Sequence, residues 1–462
     1  MNRKSFFKHL SLLGASTSIF ARVAEATKTK IGITPKEKFG YEKKFFKLGK
    51  YTLKVKIPSH FKSKMDSLEF RFVHDHMEFE KPIKLKPIIE GDFFVFQVEF
   101  KTEDKYCINV HDHSLKNKKR IYLPIESISM YALNDDLYAS RPMKGDSHIH
   151  TTNSDGKFSP TEVALRCYEV GLDYQAISDH RRWDTSDDMM KKFGKYDTSM
   201  TFYHAEECHF ATSDIHNFGG SQGVTAYINA NKAEFDKRVD ELIKTLPKDM
   251  EKPLKKQVAL IEVQAQIIRK FGGIAVFNHP YWIPSKGFYH KSVDAVCARK
   301  NIDAIEIVNF GRRYGNRDYS TSISIEKLTE LREQGINYPV LATTDAHSIL
   351  NQGNAYTIAF PKSNRWEDMK QAILEKRSIA VCDATYNELE LDKRDTMMYG
   401  NRRLIKYAHF LIEEYFPEHD KLIAEEGKAL KEIVEKGESE ERLAKLKTLS
   451  EKAKNYWESL KA

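Results

Sequence analysis

Three absences narrow the reading before any motif is considered. There is no CxxC pair, and the five cysteines (Cys107, Cys167, Cys208, Cys297, Cys382) are scattered and odd in number. That removes a disulfide framework and leaves each thiol to behave as a small buried hydrophobe. No run of about 18 apolar residues occurs, so a transmembrane helix is not expected. Compositional bias is also missing: 14 Pro and 22 Gly in 462 residues, 41% hydrophobic and 30% charged, exclude collagen-like and disordered classes. A chain of this length has room for two or three domains. Excess charge is modest, at +8. The first 26 residues hold Arg3, Lys4, Lys8 and Arg22 against Glu25, leaving +5 on the rest, where cations and acids are interleaved as on a solvated surface. Bulk charge therefore gives little support to nucleic-acid binding.

What is present begins with a targeting pattern. Asn2-Arg3-Lys4-Ser5-Phe6-Phe7-Lys8 precedes a short apolar stretch over 10–20, and Ala24-Glu25-Ala26 offers small residues for cleavage. Residues 1–26 thus read as a signal peptide, with a twin-arginine-like variant at Arg3-Lys4, and the expected location is exported, periplasmic or secreted. A polar linker spans 27–45. From 46 to 138, runs such as YTLKVKI (51–57), LEFRFVHD (68–75), DFFVFQVEF (92–100), YCINVHD (106–112) and RIYLPIE (120–126) alternate with period two, which predicts a small antiparallel β-sandwich. Over 139–395, seven strand-like runs alternate with helical stretches, which predicts a parallel sheet closing as a barrel. Residues 396–462 carry helical periodicity with Glu and Lys on the polar faces, and are expected to pack on the barrel as a helical C-terminal extension.

The chemistry sits at the ends of the barrel strands. The first ends in Asp146-Ser147-His148-Ile149-His150, followed by Asp155-Gly156. Residues two apart on a strand face the same side, so His148 and His150 can grip one ion. Later strands end in Asp179-His180, Glu206-Glu207-Cys208-His209, Asn278-His279-Pro280 and Asp345-Ala346-His347, with His216 between the third and fourth. Imidazoles mixed with carboxylates suit Zn²⁺, Mn²⁺ or Fe²⁺, and nine candidates exceed the three or four ligands of one ion. Two to three divalent ions are implied. His74-Asp75-His76 and His111-Asp112-His113 in the β-rich region lack such companions, so they read as surface or strand residues. Asp146 and Asp179 read as carboxylates that accept an N–H from a ligand histidine and fix its tautomer.

Residues 144–347 resemble the PHP (polymerase and histidinol phosphatase) family, whose fold is a distorted (β/α)7 TIM-like barrel. The family's HxH and downstream DG match His148, His150 and Asp155; its DH matches His180. Its glutamate falls at Glu206-Glu207, with Glu207 favoured, and the following histidine at His216, with His209 as fallback. HP matches His279, and the closing DxH matches Asp345 and His347. The resemblance implies a trinuclear metal centre and phosphoesterase activity, with His180, His347 and Asp345 nearest the chemistry. A secreted subgroup with an N-terminal β-domain is the most similar arrangement.

Clustered divalent ions suit phosphate esters, whose hydrolysis needs an activated water and charge at both the attacking and leaving oxygens. Arg312, Arg313 and Arg317, beyond AIEIVN, are candidates to hold substrate phosphate, with Arg181 and Arg182 second. Tyr281 and Trp282 follow the HP motif as candidates to line the mouth. A small phosphomonoester is the favoured substrate. A nuclease acting on nucleic acid, with the β-domain gripping the polymer, and a non-catalytic binding protein remain as alternatives.

Overall fold

Alternating burial along short strands builds the first part of the chain. The computed structural model describes residues 38–76, 81–114, 124–281, 290–309, 320–384 and 395–462. The targeting segment, most of the linker, part of the 120–126 run, Trp282 and the Arg312, Arg313 and Arg317 loop lie outside them. The chain divides into two compact units, and the described residues of the smaller are 38–42, 50–76, 81–99, 107–114 and 124–128. In that unit Phe93–Phe100 pairs antiparallel with Ile88–Glu90 across a two-residue turn at Gly91 (φ 58°) and Asp92. Glycine supplies the positive φ that such hairpin turns require. A second pairing joins Leu68–His74 to Ile83–Leu85, also antiparallel. Phe70 of one sheet lies 4.9 Å from Phe94 and 5.0 Å from Phe96 of the other, ring centre to ring centre. Interdigitated aromatics of this kind form the dry centre of a two-sheet sandwich.

The larger unit holds Lys43–Gly49, Phe100–Tyr106 and Ser129–Ala462, and its fold is mixed α/β. Seven of its strands carry the argument below: β1 (Met143–Ile149), β2 (Tyr174–Ile177), β3 (Ala205–Cys208), β4 (Ile215–Phe218), β5 (Ile274–Phe277), β6 (Ala304–Asn309) and β7 (Val340–Thr343). All but one residue of them are buried, as expected of strands covered on both faces. One sheet runs β3-β4-β5-β6-β7. The other places β2 and β1 beside Ala355–Ala359, Ser378–Ala384 and Asp395–Gly400. Two isolated parallel bridges, His180 with Glu207 and Ile149 with Ala346, join the sheets at the ends of β2 and β1.

An all-parallel arrangement is not what forms. β1–β2, β5–β6 and β6–β7 are parallel, but β4 lies antiparallel between β3 and β5. Residues 209–214 are too few for the crossover that a parallel return requires, so the chain makes a hairpin instead. The predicted 201–209 strand is interrupted at Tyr203–His204, and Ala355–Ala359, antiparallel to β1, was not anticipated from the sequence.

Helices cover the sheets through apolar stripes. Pro160–Glu169 starts in a capping box between Ser159 and Glu162 and buries Val163, Ala164, Cys167 and Tyr168. The C-terminal helices Arg402–Glu414, Phe416–Lys436 and Glu440–Ser459 contribute Leu411, Leu430 and Trp457 to the same core as Ile149, Val163 and Ile177. Phe45 is fully buried against Trp457, 4.3 Å between ring centres, and its carbonyl accepts the N–H of Ala462. No helix among the described residues is long and apolar enough to cross a membrane.

Candidate metal centre

The strand ends converge on one buried pocket in the larger unit. Period-two alternation sends His148 and His150 to the same side of β1, and their Nε2 atoms lie 3.1 Å apart. Glu207 Oε2 lies 3.2 Å from His148 Nε2 and 3.3 Å from His150 Nε2, while Asp345 Oδ1 is 2.9 Å from His150 Nε2. These four groups form one set able to hold an ion. A second set, His150, Asp155, His180 and His347, shares His150 and lies further out. There Asp155 Oδ1 is 3.1 Å from His347 Nε2 and 3.4 Å from His180 Nε2.

The third expected grouping is partly drawn together. Glu207 Oε1 lies 3.1 Å from His279 Nε2, and Glu207 stands opposite His216 in the β3–β4 register. The His216 ring centre is 5.4 Å from that of His148. Both His216 nitrogens are buried without a hydrogen-bond partner. An imidazole with two orphaned nitrogens beside buried carboxylates has the chemistry of a ligand for a divalent cation. The donor set, imidazole nitrogens with Glu207, Asp345 and Asp155, is equally suited to divalent transition metals.

Alternation also separates the adjacent glutamates. Glu207 faces the pocket, whereas Glu206 faces away and accepts the backbone N–H groups of Val224 (2.7 Å) and Thr225 (3.1 Å) at the start of a helix. His209 is in the neighbourhood too, its Nε2 2.5 Å from His180 Nδ1.

Carboxylate hydrogen bonds hold these groups in place, and the sequence reading missed the most connected one. Glu306, on β6, accepts from His148 Nδ1 (3.1 Å), the His279 backbone N–H (2.6 Å) and the Thr343 hydroxyl. Its signal was a lone acid inside the apolar run AIEIVN, where burial of a charge demands partners. Asn278 donates to Glu207 (3.0 Å) and Asn309 to Asp345 (3.2 Å). The expectation for Asp146 and Asp179 needs correction. Asp146 accepts the backbone N–H of His148 and two donors of Thr344; Asp179 accepts from Thr151 and Ser154. They anchor backbone and loop, and the ring N–H of His148 goes to Glu306.

Electrostatics follow from this crowding. Burial opposes ionisation of Glu207, yet His148, His150 and His180 hold its carboxyl well below the usual range. Burial likewise disfavours charge on His180, but hydrogen bonds to Asp155 and Glu207 outweigh it and raise its pKa to about 10. Burial and the nearby His148 push His216 well below its ordinary value. So many buried acids around imidazoles make a field that favours cations.

Backbone strain marks two of these positions. His279 (φ 21°) and Asp345 (φ 48°) adopt left-handed values that side chains rarely take, a feature that clusters at functional sites. Arg181 (φ 60°) is exposed beside the pocket, while Arg182 is tied to Asp184 at 2.6 Å. Tyr281 is buried and donates to Asp294. His74, His76, His111 and His113 enter no grouping able to hold a metal among the described residues.

Comparison with known proteins gives one curated relative. It is the DNA polymerase/3'-5' exonuclease PolX of Bacillus subtilis, 24% identical over 266 residues, 56% of this chain and 44% of the relative. The chain thus spans less than half the length of that protein. No family model matches. Among solved structures, a two-domain Bacteroides vulgatus protein containing a predicted PHP-like metal-dependent phosphoesterase aligns at 16% identity and TM-score 0.36, over 53% of this chain and 66% of that one. A Chromobacterium violaceum amidohydrolase aligns at 14% identity and TM-score 0.31, over 53% of this chain and 99% of that one. The assembled HxH, DG, DH, Glu, HP and DxH motifs are those on which the chain resembles the PHP family, and its similarity to the curated relative is partial.

Proposed function

We propose that the chain is a metal-dependent phosphoesterase that hydrolyses a small phosphomonoester. The observation that carries this reading is the pair of overlapping ligand sets, one around Glu207 and Asp345 and one around Asp155, joined through His150. The ligands in this reading are His148, His150, Asp155, His180, Glu207, His216, His279, Asp345 and His347, holding two to three Mn²⁺, Zn²⁺ or Fe²⁺. Divalent ions bound there would supply a water of lowered pKa and positive charge at both ends of an in-line displacement. In this reading the seven strands, joined through the two bridges, are taken as one distorted barrel. The smaller unit acts as an accessory domain, and residues 1–26 direct export.

The protein's own groups orient the reaction. Glu306 fixes His148 and His279; Asn278 and Asn309 aim the carboxylates of Glu207 and Asp345. Arg181, Arg312, Arg313 and Arg317 are assigned to the substrate phosphate, where a guanidinium offers paired donors. His347 and His180, the most exposed imidazoles of that ligand set, are the candidates to serve the leaving group.

A second reading, removal of nucleotides from a polymer, is favoured by the relative's exonuclease activity. Turnover of a panel of phosphomonoesters, phosphodiesters and oligonucleotides with Mn²⁺ added separates the two. Hydrolysis of monoesters with little salt dependence supports the first reading; activity confined to oligonucleotides supports the second.

A further inference from the structure

We propose that His209, held by Asp214, fixes the tautomer of His180 and thereby sets the affinity of the outermost ion position. The inference rests on the metal-centre reading above. His209 and Asp214 bracket the short connection between β3 and β4. His209 Nδ1 lies 2.7 Å from Asp214 Oδ1, and its Nε2 lies 2.5 Å from His180 Nδ1. The carboxylate can only accept, so His209 carries its proton on Nδ1 and presents Nε2 as an acceptor. His180 must then donate from Nδ1, to His209 or to Glu207 Oε2 at 2.8 Å. In the neutral ring that an ion would bind, this leaves the lone pair of His180 on Nε2, the atom facing Asp155.

The neighbouring imidazole has the same polarity. His347 Nδ1 lies 2.8 Å from the backbone carbonyl of Asp345 and donates to it, which frees Nε2 toward Asp155. Both outer imidazoles are therefore presented through Nε2, each fixed by an acceptor behind it. The inner His148 obtains this service from a carboxylate, Glu306. His180 obtains it from an imidazole that a carboxylate has first oriented. The relay matters most at the outer position, because Asp155 is half exposed (51% for its side chain) whereas His148 and Glu207 are at 1%. An ion held there competes with water, so ligand orientation weighs heavily on its affinity.

His209 is also placed to be a ligand itself, with His180 and Glu207. Variants of the full chain, stripped with chelator and titrated with Mn²⁺ while bound metal is counted, separate the two roles. The wild-type count comes first: if no ion binds, the metal-centre reading fails and the relay with it. Given two or three ions, His209→Ala should weaken only the weakest site, by about 10–100-fold. His209→Gln, whose side chain still accepts from His180 and donates to Asp214, should stay within about threefold of wild type. Asp155→Ala should abolish the outer ion, and adding His209→Ala to it should change nothing further. The relay is overturned if His209→Ala leaves every affinity unchanged, if His209→Gln loses as much as His209→Ala, or if the double variant loses a second ion.

Discussion

Glu306 Oε1 sits 3.1 Å from Nδ1 of His148, and its other oxygen holds the backbone N–H of His279 at 2.6 Å. One carboxylate on β6 thus fixes two residues of the candidate metal centre, from β1 and just beyond the end of β5. Glu306→Gln can offer only one acceptor oxygen and should lower affinity for the inner ions about 10–100-fold. Metal titration followed by elemental analysis is the measurement, and unchanged affinity would remove Glu306 from the site.

The adjacent glutamates should behave oppositely. Glu207→Ala should lose bound metal, because Glu207 approaches His148, His150, His180 and His279. Glu206→Ala should keep its metal and lose about 1 kcal/mol of stability, the usual value of a helix cap. Metal content and urea midpoints on the same two variants check both halves.

His419 gives a prediction about acid. Burial lowers its pKa to about 4, against the pull of Asp173 and with help from Arg141 and Lys144. Its ring stacks on Tyr415 at 4.8 Å, and neither nitrogen has a hydrogen-bond partner. Because the unfolded value is near 6.5, the unfolded chain binds more protons between pH 6.5 and 4. The contribution is therefore fully present above pH 6.5 and is lost as pH falls toward 4. In wild type it amounts to roughly 2 to 3 kcal/mol. Denaturation of wild type and His419→Leu at pH 7 and pH 4.5 should show a smaller pH effect in the variant. Equal slopes would refute the assignment.

Gly219 follows β4 at φ 76°, and a Cβ there would lie 2.0 Å from the Trp366 ring. Gly219→Ala combines left-handed strain with overpacking, which together cost about 2–4 kcal/mol. A thermal or urea midpoint indistinguishable from wild type would contradict that packing.

The sequence made the pocket legible because residue types able to chelate stand out at strand ends. His148, His150, Asp155, His180, Glu207, His279, Asp345 and His347 approach one another where strand ends predicted. Supporting groups were harder to see. Glu306 looks like any acid in an apolar strand, and Asn278 and Asn309 look like ordinary loop amides; only their partners reveal them. Asp146 misled because proximity in sequence to His148 did not say which N–H it would accept. The reversal of β4 was hidden for a different reason. IHNF is too short for its direction to be read, and direction depends on a six-residue connection instead of on the strand itself.

That reversal has a bearing on redesign. A parallel strand delivers residues to the pocket from its finish, but β4 delivers His216 from its start, across a tight hairpin. Exchanging the 209–214 segment would unzip the pairing that carries His216 and displace Glu207 opposite it. Attempts to graft new specificity onto this scaffold should therefore work through the segments after β1, β2 and β5, and leave the hairpin wall as a fixed jig.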